Sequence, residues 1–254
     1  MRKKLKLTKD NRLMLNIACG SRTHPEWNNV DFSPIVFFVR HLKVTRILRR
    51  INIISQDRFE RILSIDPEIM YHNFLGGIPW KDNTFDVIYH SHFLEHLDRH
   101  NAKGFLMECR RSLREGGILR VVIPDLSRLI DDYNTTFNFM KQPDNFSLDK
   151  HKESIYNLFY QMVDLQLSGV KQQRKMIGFF ENILRGNTLT AGEAHLWMYD
   201  KYTLESLLFE AGFREVKLKQ PDSSDIADWN SFKLDINSDG SVYKEESLYM
   251  EAIK

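Results

Sequence analysis

The apolar residues fall into short runs whose period changes along the chain. Leu13 to Ile17 reads as a short strand that ends in Ala18-Cys19-Gly20-Ser21, and Asn29-Val30-Asp31-Phe32 reads as a second strand soon after it. From Ser33 to Ile54 the spacing is helical, with Phe37, Phe38, Leu42, Ile47, Leu48 and Ile51 interleaved with Arg40, Lys43, Arg46, Arg49 and Arg50. Ile69 to Phe74 is strand-like, a turn-rich stretch follows from Gly76 to Asn83, and Phe85 to Tyr89 reads as a buried strand. A helix is predicted from about Asn101 to Leu113, with Phe105, Leu106, Cys109 and Leu113 on one side. Its stop is expected at Arg114-Glu115-Gly116-Gly117, where glycine would supply a left-handed cap. Ile118 to Ile123 is another apolar strand, closed by Pro124.

Asp125 to about Thr190 reads as helices without strands, a large insertion or lid. Lys201 to Ala211 is an amphipathic helix ending at Gly212, and Val216–Leu218 and Leu248–Ile253 read as closing strands. Strands alternating with helices imply βαβ units and a mostly parallel sheet. Ligands of such sheets sit beyond the carboxyl ends of the strands, so the chemistry is sought just after each strand.

Bulk properties narrow the function only by exclusion. The 254 residues suffice for one α/β domain with insertions. Lys plus Arg is 36 against 34 for Asp plus Glu, a net charge of +2, which argues against a nucleic-acid coat protein and leaves room for a local basic patch. Two cysteines, Cys19 and Cys109, form no disulfide framework and fit a reducing, cytoplasmic compartment. No apolar run approaches the ~18–20 residues of a transmembrane helix, so the chain is expected to be soluble or at most attached to a membrane surface.

Five segments follow strands where ligands would bind. Asn16-Ile17-Ala18-Cys19-Gly20-Ser21 is either an ordinary strand-to-helix turn or a loop whose glycine lets a ligand approach the backbone. Asp31 is either a solvated turn acid or an acceptor for the two hydroxyls of a ribose. His72-Asn73-Phe74 leads into Ile78-Pro79-Trp80, and His90-Ser91-His92-Phe93-Leu94-Glu95-His96 directly follows the Phe85–Tyr89 strand. The last is Leu113 to Asp125, L-R-E-G-G-I-L-R-V-V-I-P-D.

In this order and spacing, the segments resemble the class I S-adenosylmethionine (SAM) dependent methyltransferases. The closer resemblance is to a small-molecule branch often associated with cell-surface glycan biosynthesis. Gly192 to Asp200, followed by Leu204 to Phe213, is similar to the tail block of that branch. The resemblance covers roughly Leu13–Asp31, Met70–Leu126 and Gly192–Val216.

It implies an α/β Rossmann-like fold with a mostly parallel seven-stranded sheet, one domain over residues 1–254, and helical insertions at about 33–66 and 127–190. It implies SAM as cofactor, with Ala18, Cys19 and Gly20 along its methionine part, Asp31 on the ribose, Asn73 with the Phe74 backbone on the adenine, and Ser91 beside the sulfonium. It implies no metal. The sequence departs from the pattern in its reduced glycine loop and in Asn73, where an acid is usual; an amide oxygen can still accept from the adenine amino group.

Methyl transfer from a sulfonium is an in-line displacement, with the acceptor held about 3 Å from the methyl. A hydroxyl acceptor also needs a general base, for which histidine is the natural choice. His92, just after the strand that faces the methyl, leads the candidates, followed by His96 and His195. His96 can equally buttress the fold, and Trp197 and Tyr199 read as core or pocket wall. The expected activity is O-methylation of a small-molecule or glycan acceptor, with no nucleic-acid partner.

Two other functions fit parts of the pattern. One is a SAM-binding interaction module without turnover. The other is a zinc peptidase, because His92-Phe-Leu-Glu95-His96 matches H-x-x-E-H, which on a helix would bring both histidines to one face. The basic stretch from Arg40 to Arg50 is either a solvated face of a lid or a docking surface for an anionic membrane or lipid-linked acceptor.

Overall fold

The computed structural model describes residues 4–141, 148–162 and 195–254. Seven strands form one sheet in the order β3-β2-β1-β4-β5-β7-β6. They are β1 (Met14–Ile17), β2 (Asn28–Asp31), β3 (Met70–Tyr71), β4 (Phe85–Ser91), β5 (Leu113–Pro124), β6 (Glu215–Lys219) and β7 (Ser247–Ile253). The first five pair in parallel, and β7 runs antiparallel to both β5 and β6. The chain reverses its strand order at β1 and β4, so the crevice for a ligand opens beyond their carboxyl ends.

The helices among the described residues are α1 (Pro34–Arg40), α2 (Leu42–Arg50), α3 (Gln56–Leu63), α4 (Arg99–Ser112), α5 (Leu126–Met140), α6 (Leu148–Met162) and α7 (Lys201–Glu210). The predicted helical stretch after Ser33 is thus two helices that break at His41. Buried Thr45 closes the break, its hydroxyl donating to the carbonyls of Phe38 (2.7 Å) and His41 (3.2 Å). Of the helices expected between Asp125 and Thr190, α5 and α6 are present; residues 163–190 lie outside the described residues.

Alternation along the strands divides the core. Leu15, Ile17, Ile88, Leu119, Val121 and Met250 pack on one side with Phe105 and Leu106 of α4 and with Leu204 and Leu208 of α7. Met14, Val87, Tyr89, Val122 and Tyr249 face the other side, where they meet Trp27, Trp229 and Phe232. That second side also buries Arg120. Its guanidinium donates to Asp235 (2.7 Å), to Glu251 (2.7 Å) and to the carbonyls of Ser223 (3.0 Å) and Gln220 (2.9 Å), and it stacks over Trp229. This network pins the segment before β7 onto the sheet.

Two expectations are corrected. The strand predicted from Ile69 to Phe74 is only Met70–Tyr71, because Asn73 accepts from the Leu75 N–H (3.0 Å) and caps a 3-10 turn at Phe74–Gly76. Gly116 and Gly117 do not cap α4, which ends at Leu113 in extended backbone. Both glycines lie within β5: Gly116 has φ +74, and a Cβ on Gly117 would come within 2.9 Å of the Arg114 carbonyl oxygen and 3.1 Å of that of Asp86. They serve the irregular register where β5 joins β4.

Candidate active site

At the carboxyl end of β1 the backbone turns left-handed at Ala18 (φ +51) and Gly20 (φ +53). For an alanine this conformation costs on the order of 1 kcal/mol, and such strain gathers at functional sites. Asp31, buried at the end of β2, holds the loop: one carboxylate oxygen accepts from the Gly20 N–H (2.8 Å) and the other from the Ser33 N–H (2.6 Å). Each oxygen keeps a second lone pair, so the carboxylate can still accept from two hydroxyls. A Cβ built on Gly20 meets no atom within 4 Å, so this backbone borders open space. Burial, then the Asp31 charge, pushes the Cys19 thiol well above its usual range, which makes it an inert wall and not a nucleophile.

Beside Asp31, the Asn73 side-chain oxygen already holds the Leu75 N–H and has capacity for one more donor. Phe74 is buried, its ring edge-on to His72, Phe93 and Phe105. Ser91 closes β4, next to the loop after β1 in the sheet order.

The segment after β4 does not form an α-helix. His92 is left-handed (φ +51), tied by its N–H to the Val122 carbonyl (2.8 Å), and only Leu94–His96 makes a single 3-10 turn. His92 and His96 therefore do not share one helix face, and the zinc-peptidase arrangement is absent.

Glu95 is instead the centre of the site. It is completely buried, and neither carboxylate oxygen has a hydrogen-bond partner. His92 Nδ1 lies 3.5 Å from its Oε1, and His195 Nε2 lies 4.0 Å from the same atom. The His96 and His195 rings meet edge to face, 4.7 Å between centroids. The Glu95 carbonyl accepts from the N–H groups of Leu196 (2.7 Å) and Trp197 (3.2 Å), so main-chain bonds fix His195 beside it. Arg99 stacks over Trp197, and Tyr199 is buried with its hydroxyl lacking a hydrogen-bond partner.

Burial drives the electrostatics of the cluster. It pushes the Glu95 carboxyl up to about 8 against the weaker pull of Lys244, so the group is mostly protonated at pH 7. Burial first, then Lys244, His195 and His96, lowers His92 to about 3, and its Nε2 is engaged with the Ser247 hydroxyl (2.9 Å). A nitrogen that weak is poorly matched to proton abstraction at neutral pH. Ser247 also lines a polar groove of about 710 Å3, shared by Asp125, Arg128, Asp132, Lys219, Lys244 and Tyr249.

The structure thus gathers His92, His96 and His195 at one place and sets Ala18, Cys19, Gly20 and Asp31 at another, both at the carboxyl ends of neighbouring strands. Sequence reasoning invoked Glu95 only for the peptidase. The signal was an acid inside the apolar run Phe93-Leu94-Glu95. The tail-block residues Gly192, Glu193 and Ala194 lie outside the described residues.

Residues 58–121, from α3 into β5, match the family model described as "Methyltransferase domain". No curated protein matches the chain. Among solved structures, a SAM dependent methyltransferase from Archaeoglobus fulgidus aligns at 15% identity over 96% of this chain and 86% of its own, with a TM-score of 0.39. One from Aquifex aeolicus aligns at 11% identity over 98% of this chain and 84% of its own, with a TM-score of 0.41. The matched model covers the strand and turn that carry Ser91 to His96, and the sheet has the expected mostly parallel seven-stranded form with its antiparallel β7. About a quarter of the chain is thus similar to a methyltransferase domain, and it lies within a sheet of the Rossmann-like form expected from the sequence.

Proposed function

We propose that this chain is an S-adenosylmethionine-dependent methyltransferase that methylates a hydroxyl of a small-molecule or glycan acceptor. The observation that carries the reading is the convergence of His92, His96 and His195 on buried Glu95, directly after Ser91. The polar groove beside Ser247 has the mixed hydroxyl, amine and carboxylate lining that suits a hydroxyl-rich acceptor. Two buried, free thiols suit a cytoplasmic setting.

When bound, SAM supplies a methyl group on a positively charged sulfur. In this proposal Ala18, Cys19 and Gly20 lie along its methionine part, Asp31 accepts from the ribose hydroxyls, and Asn73 with the Phe74 backbone reads the adenine. Ser91 sits beside the sulfonium. The strained loop held by Asp31 and the open space before Gly20 support these roles. The acceptor hydroxyl meets the histidine cluster, where His92 is a positioning residue that acts through Glu95 and Ser247.

The test is calorimetric titration with SAM, with Asp31→Asn as control, followed by turnover with sugars and sugar nucleotides. Saturable binding weakened in the variant, and a product methylated on oxygen, are expected. Methyl found only on nitrogen or carbon would overturn the acceptor assignment.

We further propose that α2 rests on an anionic membrane surface. Exposed Val44, Ile47 and Ile51 follow one another at helical spacing beside Lys43, Arg46 and Arg50. Each basic residue near such a surface is worth about 1 kcal/mol. Replacing Arg46, Arg49 and Arg50 by Glu should abolish binding to phosphatidylserine vesicles; unchanged binding would refute it. No helix among the described residues is long and apolar enough to cross a membrane.

A further inference from the structure

We propose that Glu95, His96 and His195 form a binding site for a first-row divalent metal ion, which receives the acceptor hydroxyl. The metal site stands on the geometry alone, whereas its part in catalysis rests on the O-methylation reading above.

One ligating atom from each of the three residues lies within 4.8 Å of the others. Two imidazoles and one carboxylate are a donor set that suits zinc and its neighbours. In a tetrahedral site with bonds of ~2.0–2.1 Å, donors stand roughly 3.3 Å apart. The triad therefore closes on an ion by small rotations of the two partly buried histidines around the fully buried Glu95.

Glu95 is the second, independent observation. A fully buried carboxyl without a hydrogen bond on either oxygen has lost its water without replacement and is destabilising as it stands. Its nearest nitrogens, at 3.5 and 4.0 Å, are too far to hydrogen-bond well. The 4.0 Å between Glu95 and His195, with His96 within 4.8 Å of both, is instead the scale of groups gathered around one cation. An ion at this point supplies the missing partner for the carboxylate.

The surroundings are built as metal sites are. The Ser247 hydroxyl holds His92 Nε2, which fixes the His92 ring beside Glu95 with its Nδ1 at 3.5 Å. The main-chain bonds from Leu196 and Trp197 to the Glu95 carbonyl bring the third ligand, distant in sequence, to the other two. Three protein ligands leave coordination positions open for an outside oxygen, the mark of a catalytic site.

An acceptor hydroxyl bound at an open position becomes more acidic, and its proton passes to solvent water. The oxygen then bonds to the methyl carbon as the carbon–sulfur bond breaks, with the bonding pair staying on sulfur.

The experiment uses the full chain, stripped with a chelator and dialysed, then titrated with Co2+ and with Zn2+. SAM binding is measured on the same samples. One equivalent of Co2+ with visible absorption bands that Zn2+ displaces is expected. His195→Ala and Glu95→Gln should each weaken the metal roughly tenfold or more while SAM binding stays unchanged. His195→Ala is the safer variant for folding, because the residue is only partly buried; circular dichroism checks both. SAM binding without stoichiometric metal, or metal affinity unchanged in both variants, would overturn the site. Stoichiometric metal lost in the variants, in a protein that fails to bind SAM, would support the site and overturn the methyltransfer reading.

Discussion

Glu95 and Asp235 are both buried carboxyl groups, but the chain treats them in opposite ways. Asp235 receives Arg120 at 2.7 Å and the Tyr89 hydroxyl at 2.6 Å, and Arg120 also holds Glu251. Glu95 receives no hydrogen bond and has only histidines at longer range. Burial raises the pKa of both acids, but for Asp235 the hydrogen-bonded Arg120 charge pulls the other way, while Glu95 has no hydrogen-bonded cation and feels only the weaker pull of Lys244. One acid is part of how the protein stays folded. The other is held without compensation at the end of the strand where the chemistry is expected, which is where uncompensated groups belong.

Arg120→Met should break the comparison from the satisfied side. It leaves Asp235 buried without its cation and Glu251 with only Lys219 at 3.7 Å, at a cost of about 3–5 kcal/mol. Urea unfolding should show most of the stability gone. Asp235→Asn should be milder but still destabilise by more than about 1 kcal/mol, since the guanidinium loses one charged partner. Glu95→Gln should change the unfolding free energy of the metal-free protein by less than about 1 kcal/mol, because little native bonding is removed. The same variant should lose more than tenfold in methyl transfer, and an equal loss of stability in the Glu95 and Asp235 variants would erase the distinction. Gly20→Ala should cost about 1 kcal/mol from its positive φ and weaken SAM binding, as read by calorimetry. The smallest effect is a rate: at pH 8 both buried thiols should react with a disulfide reagent more slowly than free cysteine, and Cys19 more slowly still with SAM present.

Much of the sheet was legible because its strands are apolar runs ended by glycine, aspartate or proline. Met14–Ile17, Phe85–Ser91 and Ser247–Ile253 fall within two residues of the runs that predicted them. The misreadings came where one residue type serves two uses. Gly116 and Gly117 look like a helix stop, but Gly116 supplies a positive φ at the irregular register and Gly117 permits the close approach of β5 to β4. Asn73 looks like the end of a strand, but its side chain starts a turn.

The site was legible in its residues but not in its arrangement. His92, His96 and Glu95 are adjacent in sequence, yet their relation depends on a left-handed residue that no periodicity reveals. His195 reaches Glu95 only through main-chain pairing across a long separation. Arg120 could have been noticed as a charge inside Ile118–Ile123, since a buried strand tolerates an arginine only when partners await it.

The bridge between Asp125 and Tyr199 has one more consequence. The chain departs from the sheet at the end of β5 and returns to the same point, where the Leu126 N–H also donates to the Tyr199 carbonyl (3.0 Å). A segment whose two ends are pinned together can be lengthened, shortened or exchanged with little penalty, because each doubling of a loop costs only about 0.6 kcal/mol. Grafting a different sequence between those anchors, with His195 to Trp197 retained because they meet Glu95, is therefore a practical route to new acceptor preferences on an unchanged sheet.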